Sequence, residues 1–197
     1  MRVFIAVLVL ILNLQSWTKA DDIRDFEIEG MSIGDSLLDY LSKDQIISEI
    51  KSNRYMYTRL TDEFGQVYMR DGLSKYHFVS FFVRAKDKNF IIHGITGTMS
   101  HVEDISECHK DMNEIANEFS TLFKDAEKVE NSYDHGVDKT GRSKIKEIYF
   151  ILKSENYVRI VCMDFEESLR IKNNWIDGLD ISLLTKELSD WFENRIN

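Results

Sequence analysis

The chain has 197 residues, no proline, nine glycines, two cysteines and a formal net charge of −9 at pH 7. An acidic balance, 34 Asp and Glu against 25 Lys and Arg, argues against nucleic acid and against an anionic membrane surface as partners. No repeat, linker or low-complexity run marks a second domain, and the length suits one domain with a real core.

Residues 1–20 read as a secretory leader. Arg2 starts it, Val3 to Leu14 is apolar except for Asn13, and Thr18-Lys19-Ala20 ends it with small residues at the positions a signal peptidase reads. The apolar run is too short for a membrane span, no later stretch is long enough for one, and no cysteine sits at the cleavage site to take a lipid. Cleavage after Ala20 leaves residues 21–197 as one domain of 177 residues. Loss of Arg2 and Lys19 leaves 23 basic residues against 34 acidic ones, a net charge of −11.

The domain opens with a charged lead-in from Asp21 to Glu29 and a bend at Gly30 and Gly34. Asp35 is placed to cap a short helix through Leu41. Ser42 and Gln45 have capping-box spacing for a second helix carrying Ile46, Ile47 and Ile50. Arg54 to Leu60 and Gln66 to Arg70 read as short strands around a turn at Asp62 to Gly65.

Tyr76 to Ala85 and Phe90 to Thr96 form a hairpin across Lys86-Asp87-Lys88-Asn89, with Val79, Phe81 and Val83 on one face and Phe78 and Phe82 on the other. A strand apolar on both faces belongs inside its sheet.

Ile105 to Phe123 is an amphipathic helix. Ile105, Cys108, Met112, Ile115, Ala116, Phe119, Leu122 and Phe123 form its apolar stripe, and Ser100 or Asp104 caps its start. Lys124 to Ser143 reads as a polar, mobile loop.

A second hairpin joins Ile145 to Lys153 with Tyr157 to Phe165 across Ser154-Glu155-Asn156, and Val158, Ile160 and Cys162 share one face. Glu166 to Trp175 is irregular or a short helix. Leu179, Ile181 and Leu183 alternate with Asp180 and Ser182, as in an amphipathic edge strand. Thr185 is placed to cap a last helix bearing Leu188, Trp191 and Phe192, with Arg195 near its C-terminal end.

This order predicts an α+β fold: an antiparallel sheet built from hairpins, with a long central helix and a C-terminal helix packed mainly on one face. Two cysteines in an exported chain make a Cys108–Cys162 disulfide the default expectation. If the central helix packs on the strand face carrying Cys162, the sulfurs can meet and close a loop of roughly 55 residues. The alternative is two buried free thiols.

Motifs for chemistry are sparse. Asp138-Lys139-Thr140-Gly141 looks like the phosphorylated-aspartate motif of the P-type ATPases, but turn-forming residues precede it and Arg142-Ser143 follows, so a solvent turn is the better reading. The same loop, residues 134–140, offers Asp134, Asp138 and Thr140 to Ca²⁺ but lacks the acid pattern of an EF-hand. His77, His93, His101, His109 and His135 include no HExxH and no pair at i, i+4. His101-Val102-Glu103 lacks the Pro-Cys-x-x-Cys partner of the zinc deaminases. Cys108 and His109 face different ways on one helix, and Gly94 and Gly97 lack the Gly-Lys-Ser/Thr ending of a P-loop. Glu166-Glu167 carries no sign of burial. The sequence assigns no catalytic residue, cofactor or metal ligand.

Ile28-Glu29-Gly30-Met31-Ser32-Ile33-Gly34-Asp35-Ser36-Leu37-Leu38-Asp39-Tyr40, the helix start Glu107-Cys108-His109-Lys110, the Asp138-Lys139-Thr140-Gly141 loop and Val161-Cys162-Met163-Asp164 together resemble a family of small exported bacterial proteins of unknown function. The resemblance spans most of the chain after the leader. It implies a bacterial envelope setting, favours the Cys108–Cys162 bridge and carries over no functional residue.

The expected function is therefore a non-enzymatic periplasmic or extracellular binding or interaction domain with a protein or small ligand as partner. The alternative is an exported metal-dependent hydrolase or Ca²⁺-binding protein using the 134–140 loop with His93 and His101.

Overall fold

The structure, a computed structural model, describes residues 22–52 and 63–196. The predicted leader and the predicted strand at Arg54 to Leu60 lie outside the described residues.

A short hairpin pairs β1 (Glu27–Ile28) with β2 (Met31–Ser32). Its two-residue turn puts both Glu29 and Gly30 at positive φ, 55° and 77°. The Glu29 carboxylate accepts hydrogen bonds from Ser74 N, Ser74 Oγ and Lys75 N, which ties the hairpin to the loop before the fourth strand.

Ser36, not Asp35, caps the following 3₁₀ turn at Leu37–Asp39. Asp35 instead accepts from Ser32 N and Tyr40 Oη, holding the glycine bend closed. α1 (Lys43–Lys51) carries the expected capping box between Ser42 and Gln45.

Seven strands form one antiparallel sheet: β3 (Phe64–Met69), β4 (Phe78–Arg84), β5 (Ile92–Ser100), β6 (Glu127–Asp134), β7 (Lys144–Ile151), β8 (Tyr157–Asp164) and β9 (Gly178–Leu184). Their order across the sheet is β3-β4-β5-β9-β8-β7-β6. Two three-stranded meanders thus flank β9, the last strand made.

α2 (Ile105–Leu122) crosses from the centre of the sheet to its far edge, capped by Asp104, which accepts from Ser106 N at 2.9 Å. It packs on β8 and β9, burying Cys108, Met112, Ile115, Ala116 and Phe119. Cys108 and Cys162 form a disulfide with their Cα atoms 6.0 Å apart, inside the window such a bond needs. Phe119 and Phe123 meet Phe26 and Phe150, with ring centroids 4.9–6.0 Å apart.

Two strands differ from the expectation drawn from the sequence. The stretch 124–143 is not one polar loop: Glu127–Asp134 forms β6, in register with β7 along all eight residues. β6 lacks the apolar alternation that marks a strand, and among the described residues nothing buries either of its faces deeply, so backbone pairing decides its structure. β9 is the central strand rather than an edge. Its Asp180 and Ser182 face hydroxyls on β5 rather than water.

α1 and α2 cover one face of the sheet, but the C-terminal helix does not join them there as the sequence led one to expect. α4 (Lys186–Ile196) takes the other face, where Leu188 and Trp191 close over Phe64 and Phe82. Phe82 points away from the α2 side and supplies the apolar surface that draws α4 there. The Thr185 hydroxyl accepts from Leu188 N at the start of this helix, as its position predicted. A short α3 (Glu167–Asn173) links β8 to β9.

Candidate functional site

The sheet face opposite α2 carries a row of polar side chains contributed by five strands. Strand alternation puts Thr96 and Thr98 of β5, Asp180 and Ser182 of β9, Arg159 of β8, Glu147 and Tyr149 of β7, and Asn131 and Tyr133 of β6 on this side. Along β9, α4 bounds the row at the Leu184 end. At the Gly178 end stand Phe165, Trp175 and His135, with ring centroids 4.7–5.3 Å apart.

Two clusters hold the row in place. In the first, the Thr98 hydroxyl donates to Asp180 Oδ1 at 2.5 Å, and Thr96 and Ser182 share a hydrogen bond of 2.8 Å. In the second, Glu147 is the hub. Oε2 accepts from Arg159 Nη2 at 2.6 Å, Arg159 Nε at 3.1 Å, Tyr149 Oη at 3.1 Å and Tyr133 Oη at 3.2 Å, while Oε1 accepts from Asn131 Nδ2 at 3.3 Å. The Arg159 guanidinium lies 5.4 Å from the Tyr149 ring centre.

These groups are sheltered. Glu147 is 4 % exposed and Thr98 2 %. Burial pushes the Asp180 carboxyl up to about 6, against the pull of the Thr98 hydrogen bond and the Arg159 charge. Burial raises Tyr149 to about 12; the Arg159 charge opposes and Glu147 reinforces that shift.

The residues singled out by their motifs fall elsewhere, each in a structural role of its own.

The Asp138 carboxylate closes the turn after β6. Oδ1 accepts from Thr140 N and Thr140 Oγ1, and Oδ2 from Arg142 N, Ser143 N and Ser143 Oγ. Those hydrogen bonds hold its carboxyl well below the usual range, with the Thr140 hydroxyl foremost and burial opposing. Asp134 pairs with Lys144 Nζ at 2.6 Å. A nucleophile or Ca²⁺ ligand at Asp138 would have to give up this set of donors.

His93 and His101 lie eight residues apart on and just beyond β5, roughly 26 Å at strand rise. His93 faces Glu187 at 3.1 Å and meets Phe64 edge-on, whereas His101 Nε2 lies 3.0 Å from Asp111. His77 meets Phe78 edge-on, His109 is half-buried on α2, and His135 belongs to the aromatic trio. Glu166 caps α3 through Leu169 N. Among the described residues, no group of three His, Cys, Asp or Glu side chains is placed to hold a metal ion.

The polar row escapes a reading of the sequence although its signal is present there. Polar residues alternate with apolar ones in β5, β7, β8 and β9, but alternation by itself reads as a solvent face. Only strand order shows that the polar positions abut one another.

No family model matches the chain, and neither a curated protein nor a solved structure is similar to it.

Proposed function

We propose that the chain is an exported, non-enzymatic binding domain of the bacterial envelope, and that the polar sheet face holds a neutral, hydroxyl-rich ligand of saccharide type. The observation that carries this reading is the fixed lattice of Asp180, Glu147, Arg159, Thr96, Thr98 and Ser182 on a face that no described helix covers between α4 and the aromatic trio. Held in place before binding, such groups lose little conformational freedom when a ligand arrives.

The mixture of groups selects the chemistry. Two carboxylates and a net negative chain disfavour an anion, and Arg159 already neutralises Glu147 against a cation. A sugar hydroxyl both donates and accepts, and so suits acids and hydroxyls standing side by side. The tyrosine rings of Tyr149 and Tyr157 add apolar surface, with centroids 6.5 Å apart.

Export is supported by the leader, by the disulfide and by the family resemblance of the motifs. Among the described residues, no helix is long and apolar enough to cross a membrane. The metal-dependent alternative has less support, because Asp138 accepts from its own turn's backbone and Asp134 pairs with Lys144.

Amide shifts of isotope-labelled protein, titrated with a panel of neutral oligosaccharides, test the proposal. The expected outcome is saturable shifts confined to β5, β9, β8 and β7 and abolished by Arg159→Ala. Saturable binding that leaves these strands unmoved, or no binding by any sugar, refutes it.

A further inference from the structure

We propose that β6 is a self-recognition edge, through which two copies of the chain join by antiparallel pairing centred on Asn131 and merge their seven-stranded sheets into one of fourteen strands. The inference is independent of the ligand proposed above.

β6 is the last strand in the sheet order, and among the described residues nothing pairs with its outer side. An unpaired edge is a row of free N–H and C=O groups, and natural edges are usually blunted by proline, a bulge, short length, charged side chains or a covering element; of these β6 has only its charges, Glu127, Lys128, Glu130 and Asp134. β6 has eight residues, longer than a typical strand, and its pairing with β7 contains no bulge. All its residues are exposed except the half-buried Val129. Tyr133 is 45 % exposed, and Val137 in the adjoining turn 55 %. Both are large apolar groups left on this rim.

Symmetry restricts how two such edges can meet. Successive residues point their backbone groups alternately inward to β7 and outward. Antiparallel pairing must oppose outward groups to outward groups, so the two-fold axis has to pass through a residue, not between two.

Side chains then choose among the registers. An axis at Glu130 sets that carboxylate against its own copy. An axis at Ser132 sets Glu130 against Asp134. Like charges directly opposite are unfavourable, so both registers are disfavoured. An axis at Val129 leaves only five strand residues paired. An axis at Asn131 pairs seven, from Lys128 to Asp134. It places Lys128 opposite Asp134 of the second copy twice, Val129 opposite Tyr133 twice, and no like charges together. Lys128 and Asp134 now hold Glu130 and Lys144, respectively, in exposed pairs of the kind that contribute little and exchange readily.

Sedimentation equilibrium of the exported chain across micromolar to millimolar concentration tests the proposal. The expected result is a reversible dimer. Asp134→Lys should weaken it at least tenfold by facing two lysines, and adding Lys128→Asp should restore it. Asn131→Cys should crosslink to its own copy under mild oxidation, whereas Ser132→Cys, facing Glu130, should not. Unchanged melting temperatures would show that the charge variants still fold. A monomer throughout, or a dimer that ignores the charge reversal or crosslinks equally at both cysteine positions, overturns the proposal.

Discussion

Asp180 sits at the centre of the sheet with one short hydrogen bond, from Thr98, and Arg159 as its nearest counter-charge. Burial raises its carboxyl to about 6 from an ordinary value near 3.9. The folded chain therefore binds this proton more tightly than the unfolded chain does. The stability tied to it is fully present below about pH 4 and is lost as pH rises through about 6, by roughly 2–3 kcal/mol. Asp180→Asn removes the charge and keeps the size. Urea unfolding should find the variant about 2 kcal/mol more stable than the parent at pH 7.5 and equal to it at pH 4. A difference that stays the same at both pH values would contradict the burial of this carboxyl. A group so placed costs stability at neutral pH, a cost that functional sites commonly carry and frameworks shed.

Among the elements, β9 depends most on its neighbours. It lies between the two meanders and comes last of the strands in the chain, and Gly178 opens it where a Cβ would run into the Met99 carbonyl of β5. That obstacle is backbone, not the flexible end of a side chain, so the strand has to shift. Gly178→Ala should cost about 2 kcal/mol in denaturant unfolding. It should also increase hydrogen exchange at Thr98 and Asp180, because the β5–β9 register shifts with it. Parent-like stability and exchange would show that β9 does not lie this close to β5. Capped and periodic elements were legible in advance: Ser42 with Gln45, Asp104 before α2 and Thr185 before α4 all sit where their spacing put them. β6 was not legible, since Glu127 to Asp134 offers no apolar alternation and is a strand through its pairing with β7.

For the molecule as a whole, the Cys108–Cys162 bond staples α2 to β8 across 54 positions of chain. The chain-entropy model values such a closure at about 4 kcal/mol. Replacing both cysteines by alanine should lower stability by about that amount, read as the shift in urea midpoint. The parent should gain the mass of two hydrogens on reduction. No mass change would mean two free thiols instead of a bond. The sequence alone determined the central and C-terminal helices, the two strong hairpins, the α+β class and the placing of Cys108 and Cys162 each on an apolar face, because apolar periodicity and caps are local signals. Tertiary structure decided that β9 is central, that β6 is an edge, that α4 takes the second face and that Asp180, Glu147 and Arg159 lie in one row. Those facts depend on which strands become neighbours, and strand order arises from long-range pairing that no short window of residues encodes.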